Sequence, residues 1–463
     1  MKKQIQLSDH FTYKKLFRFT FPSIIMMIFT SVYGVVDGLF VSNYVGKTAF
    51  ASINLIMPFL MILGGLGFMV GTGGSALVAK TLGEGDKKNA DRYFTMILMF
   101  TCILGAVASV AGFIFMPQIA KLLKASDEMM GDCVLYGRII IGFNIAFMLQ
   151  NVFQSFLITA ERPKLGLFIT VAAGCTNMVL DALFIAGFEW GVKGAAIATG
   201  LSQVVGGIIP LVFFMNKKNG SILHTVATRL EFKPLLKACT NGSSELMSNI
   251  SMSLVSMIYN LQLMRLIGEN GVSAYGVLMY VQFIFVSISI GYSIGCAPVV
   301  GFHYGAGNTD ELKNMLKKSV ILTSASGAVL TLAAILLSGT FAKIFVGYDS
   351  ELYELTRHAF RLFAYSFLLA GFNIFMSSFF TALSNGGVSA AISFLRTLVF
   401  QTSCVLVLPI FFGVDGIWWA ITVSEVFATV ISIIFLFAKR KKYNYEGKKI
   451  SSFSELSVGD YVV

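Results

Sequence analysis

Charge is scarce in this chain: of 463 residues only 13% are Asp, Glu, Lys or Arg, about half the ~25% that a soluble globular protein carries. That shortage excludes a soluble enzyme. Histidine is scarcer still, with four residues at 10, 224, 303 and 358 spread over different segments, so no haem or metal cluster is expected. The six cysteines, at 102, 133, 175, 239, 296 and 404, mostly lie inside apolar runs and form no CxxC or Cys/His spacing, which argues against a disulfide framework or a zinc site. Gly71-Thr72-Gly73-Gly74-Ser75-Ala76 spells a dinucleotide fingerprint, but no strand precedes it and its surroundings are helical and apolar. A cleavable leader is not expected either, because Met1 to Arg18 is polar for too long and no small-residue cleavage site follows.

What is abundant is apolar surface. With 56% hydrophobic residues and about 20 needed for each bilayer-spanning helix, the chain supplies on the order of twelve spans and little else. Apolar runs between charged punctuation fall near 18-42, 51-80, 94-116, 134-159, 165-187, 194-215, 238-265, 272-301, 318-342, 357-383, 387-411 and 415-438. With the N-terminus inside, the inner segments collect 25 Lys and Arg against 9 outside, Arg396 lying within a span. That excess in short loops puts both termini in the cytoplasm of a multi-pass cell-membrane protein. The net charge of +11 therefore needs no nucleic acid to explain it. Asn219-Gly220-Ser221 and Asn241-Gly242-Ser243 match a glycosylation pattern on the predicted inner side and are read as chance. Lys439-Arg440-Lys441-Lys442 is read as an anchor of the last span at the membrane lipids.

Sliding the chain along itself, an offset of 222 aligns the two halves without gaps from about residue 15 to 218. Matches include Gly46/Gly268, Gly73/Gly295, Gly83/Gly305, Gly85/Gly307, Asn151/Asn373, Thr159/Thr381, Gly191/Gly413 and Gly194/Gly416. Six spans per half is even, so the second half inserts the same way up as the first. The expected fold is all-α integral membrane: twelve transmembrane helices in two parallel, pseudo-symmetric six-helix bundles. The expected divisions are 1-216 for the first bundle, 217-237 for a cytoplasmic linker, 238-438 for the second bundle and 439-463 for a cytoplasmic tail. In the second span, small residues at 67, 71, 75 and 79 make a row along which another helix can approach closely.

An ionisable side chain at mid-membrane costs about 2.5 to 3.5 kcal/mol even on the insertion scale, so each one asks for a partner or a purpose. Asp37 lies five residues from the outer end of span 1, Asp181 six from the outer end of span 5, and Thr199 five into span 6. At about 1.5 Å per residue all three sit roughly 7 to 9 Å below the outer boundary. Asn177 is four residues from Asp181 and shares its helix face. The equivalents 222 positions on are Tyr259, Val399, Ser403 and Ile421, so this pocket belongs to one half only. Two close carboxylates in a partly desolvated pocket cannot both ionise cheaply, which makes them a proton acceptor or a monovalent-cation site. The competing reading holds them for packing or in a wet outer vestibule. Arg396 and Glu425 reach similar depth in spans 11 and 12, where the first half has Gly174 and Gln203. They read as a structural clamp or, alternatively, as a switching or substrate site. Glu245 in span 7, Gln150, Asn151 and Gln154 in span 4, Gln203 in span 6 and Asn373 in span 10 are second-tier candidates for a cavity wall or for coupling. The 43 Phe and 21 Met suit an adaptable, greasy wall.

These residues resemble the multidrug and toxic compound extrusion (MATE) family. The resemblance rests on Asp37 in Val35-Val36-Asp37-Gly38, on Gly83-Glu84-Gly85-Asp86 with its repeat Gly305-Ala306-Gly307-Asn308, and on Asn177-Met-Val-Leu-Asp181. It rests also on Gly191-Val192-Lys193-Gly194 through Thr199 and on Gly413-Val414-Asp415-Gly416. Leu395-Arg396-Thr397 with Glu425 resembles the branch typical of Firmicutes-type multidrug pumps. The resemblance implies two bundles in a V around a central cavity, exporting small hydrophobic or cationic compounds against entry of H+ or Na+, with no cofactor and no enzymatic step. It maps the first-bundle cation site onto Asp37, Asn177, Asp181 and Thr199. A second acidic site that some members carry in spans 7 and 10 fits poorly, since span 10 around Asn373 has no carboxylate. A monomer is expected. The alternative cargo is a lipid-linked or other endogenous metabolite on the same fold. A channel would call for pore carboxylates in both halves.

Overall fold

The computed structural model describes residues 5–445, and among these all regular structure is helical. The first bundle holds α1 (Tyr13–Tyr44), α2 (Lys47–Gly83), α3 (Lys87–Leu122), α4 (Asp127–Gly142), α5 (Asn144–Thr159), α6 (Pro163–Asp181) and α7 (Gly191–Met215). The second holds α8 (Phe232–Leu266), α9 (Glu269–Gly305), α10 (Thr309–Val346), α11 (Ser350–Phe363), α12 (Phe367–Ala382), α13 (Gly386–Phe394) and α14 (Gln401–Tyr443). These make the twelve expected traverses. The pair α4 and α5 is one span bent by 57°, and α11 and α12 form another through a single 3-10 turn. Helix α13 continues through a π-helical stretch into α14, which contains the end of one span and the whole of the next, parted at Gly413. Helices overshoot the apolar runs: α1 starts at Tyr13 and α2 spans Lys47–Gly83. Hydropathy marks the part meant for hydrocarbon, whereas a helix continues to its cap. Of the expected tail, residues 446–463 lie outside the described residues, as do residues 1–4.

The internal repeat has a conformational cause. Gly85 and Gly307 both take positive φ, 81° and 65°, and each is followed by a capping side chain. Asp86 accepts from the Asn89 amide, and its repeat partner Asn308 accepts from the Glu311 amide. The paired motifs are thus one turn-and-cap device used twice, at the starts of α3 and α10. Gly191 and Gly413 likewise share positive φ, 55° and 57°, between the last two spans of each half.

The bundles meet at the face that carries both ends of the described chain, here termed the terminal face. A Cβ on Gly73 of α2 would strike the Ala238 carbonyl and the Gly242 nitrogen of α8. The symmetric crossing puts Gly295 of α9 against Thr20 of α1, where a Cβ would come within 3.1 Å of the threonine Cβ. Thr20 and Gly242 are themselves 222 apart. Gly83 and Gly305 close the same face, each facing a backbone carbonyl of the other's helix, that of Phe302 and that of Lys80. Only glycine permits backbones this close.

Residues ahead of α1 strap the seam. Leu7 and Phe11 are 0% exposed. The Leu7 amide donates to Glu161 Oε1 of the first bundle at 2.7 Å. The Phe11 amide donates to Glu311 Oε1 of the second at 2.9 Å, His10 Nδ1 lies 2.7 Å from Glu311 Oε2, and the Phe11 carbonyl accepts from Asn314 and Lys318. One apolar cluster here unites both bundles, from Leu7, Phe11, Phe19 and Met26 to Tyr292, Val299, Phe375 and Tyr443.

Toward the opposite face the packing divides. One cluster belongs wholly to the first bundle (Val41, Ile56, Tyr136, Ile140, Ala196) and another wholly to the second (Tyr259, Leu278, Phe360, Trp418). Gly65 still touches Leu246 and Asn249 across the seam. Beyond it Met61 and Met257, which continue those helix faces, are 45% and 63% exposed. The molecule is sealed at the terminal face and cleft at the other.

Candidate functional site

Asp37 lies on α1, seven residues before the helix ends at Tyr44, and Asp181 is the last residue of α6. A six-residue π-helical stretch, Ala182–Gly187, follows Asp181 directly; such irregular turns gather where a helix must aim a working side chain. Asp181 and Asn177 are 0% and 1% exposed. Asp37 comes within hydrogen-bonding reach of both. Asn177 Nδ2 donates to Thr199 Oγ1 at 3.5 Å. The three residues selected by depth, and Asn177 selected by its spacing from Asp181, therefore form one cluster inside the first bundle.

Two tyrosines join them that the depth argument did not select. Tyr136 of α4, 1% exposed, reaches Thr199 and lies beside both carboxylates. Tyr33 neighbours Asp37 and stands four residues ahead of it, on the same face of α1. That spacing was a usable signal for Tyr33. Tyr136 offered none, since a tyrosine inside an apolar run is ordinary.

The polar inventory of the cluster is unbalanced. Asp37 Oδ1, both carboxyl oxygens of Asp181 and Asn177 Oδ1 are buried with no hydrogen-bond donor among the described residues. Buried acceptors of this kind are costly unless something positive or protic meets them. A proton shared between the carboxyls gives each a partner. A monovalent cation suits the same all-oxygen set, completed by Thr199. No group of three or more His, Cys, Asp or Glu among the described residues is placed to hold a metal ion. At the opposite face lies a cavity of about 400 Å³, lined by Gly46, Thr48, Asp132, Trp190 and Lys193. Asp132 is one helical turn from Tyr136.

The remaining candidates fall into three places. Gln150 and Gln154 line the interior of the first bundle with Gly206 and Pro210, and Asn151 donates to the Gly64 carbonyl at 3.3 Å. Gln203 is 7% exposed on α7, its Oε1 buried without a donor. These amides pack the bundle below the carboxyl pair. Glu245 stands beside Leu246 and one turn from Asn249 on α8, at the floor of the cleft, half-buried.

In the second bundle Arg396 and Glu425 meet. Arg396 Nη2 lies 2.7 Å from Glu425 Oε1, and its Nε is 2.9 and 3.0 Å from the two carboxylate oxygens. Asn373 Nδ2 donates to Glu425 Oε2 at 2.7 Å, while Thr429 and Ser432 donate to Asn373 Oδ1. Glu425 is 1% exposed and the Arg396 side chain 15%. Arg396 sits in the π-helical stretch Leu395–Phe400, so both such stretches adjoin an intramembrane charge.

Comparison with known proteins agrees with this architecture. The MatE family model matches twice, over residues 22–183 and 246–406. Among curated relatives, the multidrug export protein MepA of Staphylococcus saprophyticus is 22% identical over 431 residues, covering 93% of this chain and 94% of its own. MepA of Staphylococcus aureus strain MSSA476 is 20% identical over 439 residues, covering 95% and 96%. Among solved structures, a MATE protein in complex with MaL6 superposes with a TM-score of 0.90 at 22% identity, over 96% of this chain and all of that one. An outward-facing multidrug-resistance MATE transporter of the MOP superfamily gives 0.89, also at 22% identity, over 96% and 99%.

Proposed function

This chain belongs to the MatE family, and we propose that it is an antiporter exporting hydrophobic and cationic compounds, driven by H+ or Na+ taken up at Asp37 and Asp181. The observation that carries this reading is the paired carboxyls inside the first bundle, with Asp37 Oδ1 and both Asp181 oxygens buried without a protein donor. Multidrug export by the MepA relatives supports the cargo class. The Lys and Arg distribution supports a cytoplasmic terminal face, which makes the present conformation outward-open.

Helix α1 links ion to cleft. Its terminal half forms the seam, with Thr20, Ser23 and Ile24 against Gly291 and Gly295 of α9, and its other half carries Asp37. A positive charge at Asp37 and Asp181 draws α1 toward α6, and that pull is transmitted along one continuous helix to the seal. Coupling follows if the ion binds the two cleft orientations with different affinity. The exposed Met61 and Met257 give the cleft flexible, polarisable walls, and Glu245 gives its floor a carboxyl group to meet a cationic compound.

The test is ethidium transport by the purified protein in liposomes under an imposed pH or sodium gradient, with Asp181→Asn alongside wild type. Transport driven by one gradient and lost in the variant is the expected result and identifies the ion. Gradient-driven transport that survives in Asp181→Asn overturns the role of the pair. Absence of transport under either gradient by folded protein overturns the cargo and turns attention to a lipid-linked substrate.

A further inference from the structure

The strap ahead of α1 is bonded to both bundles at once. The Leu7 amide donates to Glu161 of the first, the Phe11 amide to Glu311 of the second, and the Phe11 carbonyl accepts from Asn314 and Lys318. Leu7 and Phe11 are four residues apart, a reach of about 14 Å at full extension. So short a tether cannot hold both anchors once the bundles part at the terminal face. Opening that face therefore requires at least one end of the strap to let go.

A buried base stands beside it. His303 lies in the last turn of α9, past the end of its apolar run (272-301) and at the terminal face. It is 2% exposed, it adjoins the backbone of Leu7 and Asp9, and neither ring nitrogen completes a hydrogen bond among the described residues. The ionisable groups around it are committed elsewhere. Glu311 of α10 accepts from the Phe11 and Asn314 nitrogens and holds His10 Nδ1 at 2.7 Å. Asp9 of the strap pairs with Lys15 of α1 at 3.3 Å. On α2, Lys80 pairs with Glu84 at 3.3 Å, with Lys237 of α8 beside them, and lies over the Tyr304 ring, which Tyr443 of α14 meets edge-on. Burial holds the His303 imidazole below the ordinary histidine value, and Glu311 with the Leu7 and Asp9 backbone offsets only part of that effect.

We propose that the strap is a pH-controlled latch on the terminal face, closed while His303 is neutral and released when its imidazole takes up a proton. A charged imidazole gains hydration in any conformation that lifts the strap, so acid favours the lifted one. By linkage the latch is fully stabilised above the ordinary histidine value and weakens as pH falls through it. His10 acts in the opposite sense, because its protonated ring strengthens the contact with Glu311. The latch is independent of which ion couples at Asp37 and Asp181. Its response to internal acid rests on the cytoplasmic placement of the terminal face under Proposed function; the latch itself does not.

The test is thiol labelling of the strap in purified full-length protein otherwise free of cysteine. N-Ethylmaleimide is reacted with Leu7→Cys, at a buried anchor, and in a separate protein with Ser8→Cys, exposed beside it. The ratio of the two rates corrects for the pH dependence of the thiol itself. It is expected to rise severalfold as pH falls from about 7.5 to about 5.5, to stay low and flat in His303→Gln, and to keep its rise in His10→Gln. His303→Thr is a second neutral variant with the same expectation as His303→Gln, since the repeat places Thr81 at that position. With His303 in place, a ratio that stays flat or falls on acidification overturns the proposal, and this decision survives failure of either variant to fold. A rise that persists in the neutral variants assigns the response to the first-bundle carboxyls and overturns it too, as does loss of the rise in His10→Gln.

Discussion

Replacing Gly73 by alanine adds one methyl group where α2 and α8 cross backbone to backbone. The new carbon would overlap the Ala238 carbonyl and the Gly242 nitrogen, and neither can swing aside as a side chain would, so the helices must separate at the seam. Overpacking of this kind costs about 1–3 kcal/mol. At about 1.4 kcal/mol per tenfold change, the sealed conformation loses roughly 5- to 150-fold against any conformation in which this crossing opens. Spin labels at Met61→Cys and Met257→Cys, in a protein otherwise free of cysteine, report the cleft by pulsed electron paramagnetic resonance. Gly73→Ala is expected to move population from the long to the short interlabel distance. Gly276→Ala is the control, because a Cβ there meets nothing within 4 Å. An unchanged distance distribution in folded Gly73→Ala, or an equal change in the control, refutes the reasoning.

The strap yields two further expectations. Phe11→Ala empties a fully buried ring site in the seam; a loss of about 3–5 kcal/mol is expected, read as a lower Tm together with faster maleimide labelling of the buried Cys296. Burial pushes the Glu161 carboxyl above the ordinary Glu value, against the opposing pull of the Leu7 amide. Its contribution to stability is therefore full at low pH and declines as pH rises through the raised value. Glu161→Gln stays neutral, so the Tm of the variant relative to wild type should climb with pH across that window; a difference that shrinks instead counts against it. Gly413 adopts φ 57° and ψ −138°, a region almost confined to glycine, so Gly413→Ala is expected to cost about 1–3 kcal/mol, checked by thermal melting against Gly276→Ala.

The repeat and the span count were legible because both rest on residues whose physics is one-dimensional: apolar runs long enough for a bilayer, and glycines that recur where the chain must turn or where helices must touch. The cluster of Asp37, Asn177, Asp181 and Thr199 was legible for a related reason, since depth along a span can be counted from its ends. Arg396 and Glu425 met as their shared depth suggested. Lateral neighbours cannot be counted in that way. Tyr136 enters the cluster through the rotation of α4, which no spacing within its own span announces. Leu7 and Phe11 stand in a polar segment ahead of the first span, and both are fully buried because the seam between two bundles, a feature of the assembled fold, receives them. Span 7 was the least apolar of the twelve; Gly242 and Asn241 there serve close contact and a bond to the Thr381 carbonyl, work that hydropathy does not register.

The strap also has a practical reach. With Leu7 and Phe11 buried under both bundles, a fluorescent protein or affinity tag placed close ahead of Leu7 competes for the groove between Glu161 and Glu311. Such a fusion would bias the resting orientation of the transporter it was meant merely to report, and a functional assay would then measure the tag.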